Sequence, residues 1–220
     1  MATDRLALTA GLVLVAGALL LGAGGYLATG EANSWDAADA FAADSARAIR
    51  RAGMLLSVLG VAALVVSLPV LVARLHGTRG FPWALGGWVG FAAGSVLFAM
   101  VLGLTAIALP ALGELAALGA VSPQEVADRF VRQPALIVAF IGANVLFMSW
   151  VFIGVGLHVS GRFPKWLGWF VAIAATLSWL GFLHVPGIEG TARPFWPLSI
   201  ALTGVYLLRQ RNAARSAERG

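Results

Sequence analysis

Two histidines are the side chains of this sequence best suited to chemistry. His76 and His158 stand in the matching segments LHGTRGFP and LHVSGRFP. A neutral imidazole binds haem iron or another metal, and it exchanges protons near neutral pH. The alternative is structural: each ring hydrogen-bonds to the last carbonyl groups of its helix, where the helix dipole favours a cation. Both interpretations stay open here.

Four arginines form the second candidate site. Arg47 and Arg50, and again Arg129 and Arg132, are three residues apart, which places each pair on one face of a helix. Their guanidinium groups would bind an anionic lipid headgroup or a carboxylate. Nearby acids offer ordinary salt bridges instead: Asp44, Glu125 and Asp128.

Other reactive groups are scarce. The chain has no cysteine, which excludes disulfides, thiolate catalysis and Cys-ligated metals. It also lacks a phosphate-binding P-loop, a His-Glu-x-x-His zinc motif and a Gly-x-Ser-x-Gly elbow. We therefore assign no catalytic residue, no metal site and no cofactor, with haem on the two histidines as the alternative, and the sequence favours a protein that is not an enzyme.

Composition identifies the elements that must position these residues. Only 11% of the residues are charged and the mean hydropathy is +0.87, whereas a soluble domain has roughly 25% charged residues. Six segments are apolar over the length that a bilayer core of about 30 Å requires. We predict an all-α integral membrane protein, one transmembrane domain over residues 1–220, with spans at 6–28, 53–74, 82–110, 135–157, 166–185 and 194–208.

The charges orient these spans. The net charge of +5 comes from cations scattered at the ends of apolar segments, which fits membrane topology and not a nucleic-acid surface. With the N-terminus inside, the cytoplasmic segments hold only two acids, Asp4 and Glu218. The cations on that side are Arg5, Arg74, Arg79, Arg162, Lys165, Arg209, Arg211, Arg215 and Arg219. The positive-inside rule then places both termini in the cytoplasm of a bacterial inner membrane.

An internal repeat relates the two histidine segments. A shift of 82 residues aligns residues 47–100 with residues 129–182 without a gap, and it matches both histidines, both Phe-Pro pairs and the paired arginines. Both copies enter from the outer side. The prediction is therefore that helices two and three and helices four and five are parallel repeats, related by a pseudo-two-fold axis along the membrane normal.

Small and polar residues inside the spans predict how the helices pack. Gly86, Gly90 and Gly94 are four residues apart, and Gly168 aligns with Gly86, so we expect glycine packing faces near the pseudo-two-fold axis. Asn144 is the most polar group at mid-membrane depth. We expect it to cross-link two helices, with a ligand cavity as the alternative. In the loop at 122–134, Ser122 and Glu125 predict a helical capping box.

Residues 162–169, RFPKWLGW, resemble a motif of an uncharacterised family of small bacterial multi-pass membrane proteins. The glycine- and alanine-rich first helix, the long outer loop and the segment LPVLVARL at residues 68–75 are similar as well. The resemblance implies a multi-pass membrane fold. The activity that it implies is unknown, and it provides no catalytic residue to transfer to this chain.

Three functions follow as hypotheses. The first is a non-catalytic membrane protein: a scaffold, an accessory subunit or a binder of an apolar ligand such as a lipid or quinone. Its expected partners are the lipid bilayer and either a second copy or another membrane protein. The second is a haem redox protein, and the third is a channel or transporter for a small neutral solute. The third would need a polar lining, for which the candidates are Ser67, Asn144, Ser149 and Thr176.

Overall fold

The computed structural model describes residues 2–28, 48–122, 125, 134–182 and 194–217. These residues form helices and turns, with no strand among them, so the all-α prediction is confirmed for this part of the chain. The long helices are α1 (Ala2–Ala28), α2 (Ala48–Arg74), α3 (Phe81–Ala117), α4 (Pro134–Ser160), α5 (Lys165–Phe182) and α6 (Phe195–Ala217).

The six helices form a closed ring in chain order. Each helix packs against its neighbours in the sequence, and α6 packs against α1. Neighbours run antiparallel: Gly17 of α1 faces Gly60 of α2, whereas Gly24, further along α1, faces Gly53. The turns at 75–80 and 161–164 therefore lie at the same end of the ring, which we call the corner end.

Four helices contain segments long and apolar enough to cross a membrane. They are Arg5–Leu27, Ala48–Arg74, Phe81–Met100 and Phe140–Ser160. The outside of the ring is apolar as well: Leu19, Val66 and Val96 have exposed fractions of 66%, 74% and 68%. A continuous apolar surface of this kind is suited to lipid and not to water, which supports the prediction of a membrane protein.

Close backbone contacts at glycines hold the neighbouring helices together. A Cβ built on Gly60 would lie 2.9 Å from the Gly17 carbonyl oxygen, and one built on Gly204 would lie 2.8 Å from the Gly11 carbonyl oxygen. Contacts this short leave no room for a side chain. Because lipid tails solvate leucine as well as another helix does, such close approach is a main source of helix association in membranes.

The predicted glycine face of α3 was wrong at its first position. Nothing lies within 4 Å of a Cβ built on Gly86, whereas Gly87 packs against Ser149 and Ile153 of α4. Gly90 and Gly94 face α4 as well. The spacing 87, 90, 94 follows a helix of 3.6 residues per turn more closely than a strict spacing of four does.

Gly168 packs on α4 from the other neighbouring helix. A Cβ built on Gly168 would lie 2.7 Å from the Gly154 carbonyl oxygen. The glycine faces of α3 and α5 thus both pack against α4. Several of the largest side chains of α4, among them Trp150 and Leu157, are completely buried.

Helix α3 is longer than the predicted span of 82–110. Its 37 residues extend about 55 Å at a rise of about 1.5 Å per residue. The segment ALGELAA at 111–117 continues the helix because Ala, Leu and Glu, all good helix formers, occupy every position except Gly113. Gly119 ends the helix in the left-handed conformation with φ of +70°, and the Ala120 amide donates to the Leu115 carbonyl at 3.0 Å, a Schellman motif.

The capping box predicted beyond this end is present. The Ser122 amide donates to Oε2 of Glu125 at 3.0 Å, and the Glu125 amide donates to Oγ of Ser122 at 3.1 Å. This reciprocal pair is the signature of a helix start. The remainder of the predicted surface helix lies outside the described residues.

Candidate functional site

His158 joins the end of α4 to the start of α5. Its Nδ1 lies 3.2 Å from the Lys165 carbonyl oxygen. Because a carbonyl only accepts hydrogen bonds, Nδ1 carries the proton. The ring also packs on Trp169, with 5.1 Å between ring centroids. His158 therefore donates to the next helix. The structural alternative had expected it to donate to the last carbonyls of its own helix.

His76 occupies the equivalent position at the other turn, and its surroundings differ. The side chain is exposed, and its ring packs edge-on against Phe81 at 5.1 Å between centroids. The described contacts of each histidine ring thus lie within its own helix–turn–helix segment, and the structure shows no contact between the two rings. Across the described residues, no three His, Cys, Asp or Glu side chains come together as a metal site.

Two hydroxyl groups cap the helices that the histidines were expected to cap. Thr78 Oγ1 donates to the Leu75 carbonyl at 2.7 Å and accepts from the Gly80 amide at 3.3 Å. Ser160 repeats both bonds, to the Leu157 carbonyl at 2.8 Å and from the Arg162 amide at 3.2 Å. Thr78 aligns with Ser160 in the repeat, and this pairing was the sequence signal for the shared role.

A small cleft opens between α4 and α5 beside His158. Its volume is about 80 Å³, and its lining is Gly154, Val155, His158, Gly168, Trp169 and Ala172. Glycine and alanine form much of the lining, and Trp169 is 57% exposed. The lining of the cleft is therefore apolar, with His158 at its edge. Sequence reasoning found the histidine but not the cleft, because the depression depends on how the two helices meet.

Cations and polar side chains also lie at the corner end of the ring. The Arg162 guanidinium donates to the Arg74 carbonyl, and Nε2 of Gln210 donates to the Arg162 carbonyl. Arg209 lies 5.8 Å from the ring centroid of Tyr206. No Asp or Glu occurs in residues 52–113, 129–188 and 190–217. The parts of α2 to α6 that lie at the corner end therefore carry cations and no carboxylates.

Asn144 cross-links α4 and α5. Nε1 of Trp179 donates to Oδ1 of Asn144 at 2.7 Å, and the amide nitrogen of Asn144 donates to the Phe140 carbonyl at 2.6 Å. Both ends of the amide are used. The structure thus gives Asn144 the cross-linking role that we expected, with one hydrogen bond at each end of its amide.

The other candidates for a polar lining are occupied as well. The hydroxyl of Ser67 donates to the Leu64 carbonyl, that of Ser149 to the Val145 carbonyl and that of Thr176 to the Ala172 carbonyl. Each bond stays within the hydroxyl's own helix. A hydroxyl that bonds to its own helix backbone offers little to a passing solute.

Two further tryptophans donate across helix boundaries. Nε1 of Trp150, which is fully buried, lies 3.3 Å from Oγ of Ser199 on α6. Nε1 of Trp88 on α3 lies 3.4 Å from the Val65 carbonyl on α2. Pro69 stands four residues after Val65, and because proline has no N–H, that carbonyl lacks its partner within the helix. Trp88 supplies the missing donor.

Most of the predicted arginine site lies outside the described residues. Arg47, Arg129 and Arg132 cannot be placed, and Arg50 lies half-buried in the first turn of α2. The arginine hypothesis therefore stays a prediction.

Comparisons of the chain with family models, with curated proteins and with solved structures find no match. The resemblance of residues 162–169 to an uncharacterised membrane-protein family stays a prediction.

Proposed function

We propose that this chain is a non-catalytic integral membrane protein that crosses the bilayer six times and serves as a scaffold or accessory subunit that binds lipid-like molecules. The observation that carries the proposal is that the interior of the helix ring is packed and most of its polar groups are hydrogen-bonded. Most of its polar side chains bond to their own helices or to tryptophan, with Ser95 Oγ and Trp196 Nε1 as buried exceptions. The space between the helices is filled by large apolar side chains such as Trp150, Phe91 and Leu64.

Six crossings are supported by the closure of the ring. Helix α5 has 18 residues and spans about 27 Å at a rise of about 1.5 Å per residue, close to the thickness of a bilayer core. Helix α6 packs between α5 and α1, both of which have apolar outer surfaces. The cations at the corner end favour an orientation with that end in the cytoplasm.

A solute pathway is the less favoured function. Ser67, Asn144, Ser149 and Thr176 would have to line it, and their hydrogen-bonding groups are already engaged. A pump or ion-coupled transporter would normally need an ionisable side chain at mid-membrane depth, and the sequence has none near the middle of a predicted span.

Native mass spectrometry of protein extracted in mild detergent tests the proposal. We expect a chain that retains phospholipid, quinone or a protein partner through gentle activation. A bare monomer, stripped of every such mass under conditions that preserve lipid on a control membrane protein, would contradict it.

A haem protein is the second candidate, and one observation favours it. Donation from Nδ1 of His158 to a carbonyl leaves Nε2 as the free nitrogen, and this is the arrangement found in many metal-binding histidines. The visible absorption spectrum decides the matter. A Soret band in protein purified from haem-replete cells, lost in both His76→Ala and His158→Ala, would favour haem over the scaffold.

A further inference from the structure

The cleft between α4 and α5 has the chemistry of a phospholipid site. One end of it is apolar, where Gly154, Gly168 and Ala172 bring the two helix backbones together. The other end meets the 161–164 turn, where His158 and the start of α5 lie. A molecule that matches both ends has an alkyl chain joined to a polar group.

The residues at the polar end of the cleft determine whether the ligand's polar group should be an anion or a cation. Lys165 and Arg162 are exposed at this turn, and residues 129–188 contain no carboxylate to neutralise them. Nδ1 of His158 donates to the Lys165 carbonyl, so the ring holds the start of α5 in place, and its Nε2 offers the anion no donor. The N-terminal end of the α5 dipole adds positive potential. This charge is complementary to an anion.

Aromatic side chains fix the depth of the site. Trp166 and Trp169 are 50% and 57% exposed and stand one turn apart at the start of α5. Exposed tryptophans with lysine and arginine characterise the headgroup level of a bilayer. The cleft thus begins where phosphates lie and continues toward the acyl chains.

We propose that this cleft binds an anionic phospholipid, with part of an acyl chain against Gly154 and Ala172 and the phosphate against Lys165 and Arg162. The inference rests on the proposed function, because it specifies which lipid-like molecule the protein retains and where.

The other turn shows why the site is specific to one half of the molecule. Gly86, aligned with Gly168 by the shift of 82 residues, has nothing within 4 Å of a built Cβ, so it makes no close contact with α2 of the kind that Gly168 makes with α4. Arg79 is exposed at that turn and provides a matched control: a cation at the same end of the ring, away from the cleft lining.

Native mass spectrometry of the full chain, delipidated in detergent and titrated with dioleoyl phosphatidylglycerol or dioleoyl phosphatidylcholine, tests the site. We expect tighter retention of phosphatidylglycerol, and inorganic phosphate should not displace it. Lys165→Gln should weaken phosphatidylglycerol binding about fivefold, the effect of one cation near an anionic surface. Lys165→Arg should restore the affinity, and Arg79→Gln should leave it unchanged.

Ala172→Leu fills the cleft and should weaken both lipids. Thermal unfolding shows whether this variant folds, and Lys165→Gln, on an exposed side chain, keeps the test decisive if it does not. Equal retention of the two lipids, or equal losses in Lys165→Gln and Arg79→Gln, would overturn the site while leaving lipid binding in general intact. A chain that retains no lipid at all overturns the proposed function as well.

Discussion

At the scale of single residues, tryptophan has two distinct roles in this protein. Trp83, Trp166 and Trp169 are about half exposed and suit the bilayer interface, as their place beside Phe-Pro turns indicates. Trp88, Trp150 and Trp179 instead donate an indole N–H to another helix. In a dry environment a donor and an acceptor that find each other avoid the cost of an unpaired polar group.

The Trp88 bond should depend on Pro69. We expect Trp88→Phe to lower the free energy of unfolding by about 1 kcal/mol, because the Val65 carbonyl then has no donor. In a Pro69→Ala background the new Ala N–H can bond to that carbonyl, so the same substitution should cost much less. Denaturant unfolding in detergent measures both, with Trp83→Phe as the control. An equal loss in the two backgrounds would show that the bond does not compensate for the proline.

Asn144 and Trp179 should behave as one unit. We expect Asn144→Leu and Trp179→Phe each to cost about 1 kcal/mol, and the double variant to cost less than the sum, because either change removes the same bond. A double-mutant cycle on unfolding free energies gives the coupling. Trp169→Phe, whose indole is exposed, is the matched control. Strict additivity would contradict a shared hydrogen bond.

At the scale of helices, glycine position decides which faces meet. Helix α4 receives Gly94 from α3 and Gly168 from α5, and its own Gly142 and Gly154 complete the two contacts. Where two backbones approach this closely, even one methyl group forces them apart. Glycines that face outward carry no such constraint.

Gly142 and Gly86 should therefore respond to alanine with opposite signs. A Cβ on Gly142 would lie 2.9 Å from the Leu97 Cβ, so we expect Gly142→Ala to destabilise the fold by about 1–3 kcal/mol. Gly86 has open space around it, and Gly86→Ala should be neutral or stabilise the helix by up to about 1 kcal/mol. Thermal unfolding in one detergent compares them. A similar loss from both would indicate that Gly86 packs against a partner outside this chain.

At the scale of the whole molecule, the ring places both Phe-Pro turns at one end and the end of α3 at the other. The Arg162 side chain, which reaches the Arg74 carbonyl, connects the two turns directly. Gln210 binds the same turn through the Arg162 carbonyl. Contacts between residues this distant in sequence make the corner end one surface.

Single cysteines test how that surface faces the membrane. The natural chain has no cysteine, so each variant carries one label site. We expect Leu118→Cys, at the far end of α3 and 81% exposed, to react with an impermeant maleimide on intact spheroplasts. Arg79→Cys, at the corner end, should react only after the membrane is opened. The reverse pattern would show the opposite orientation, with the corner end outside the cytoplasm. Labelling of both residues from outside would contradict a membrane crossing by α3.

The sequence by itself determined the helical fold class, the apolar segments, the capping box at Ser122 and the matching chemistry of the two turns. These features follow from local properties: hydropathy over one helix length, a fixed capping spacing, a hydroxyl two residues after a histidine. Asn144 was also identifiable, since an amide in an apolar helix requires a partner, but its partner Trp179 was not.

The tertiary structure decided which faces meet. In the structure Gly87, and not Gly86, packs against α4, and Trp88 donates to the Val65 carbonyl. The hydroxyls of Thr78 and Ser160, and not the histidines, cap the helix ends. A cleft lies between α4 and α5. None of these is encoded by spacing along one helix, because each depends on the rotation and distance of a second helix. In a chain whose helices are apolar on nearly every side, the pattern of hydrophobic residues does not set that rotation, and the close contacts of glycine and the few available hydrogen bonds do.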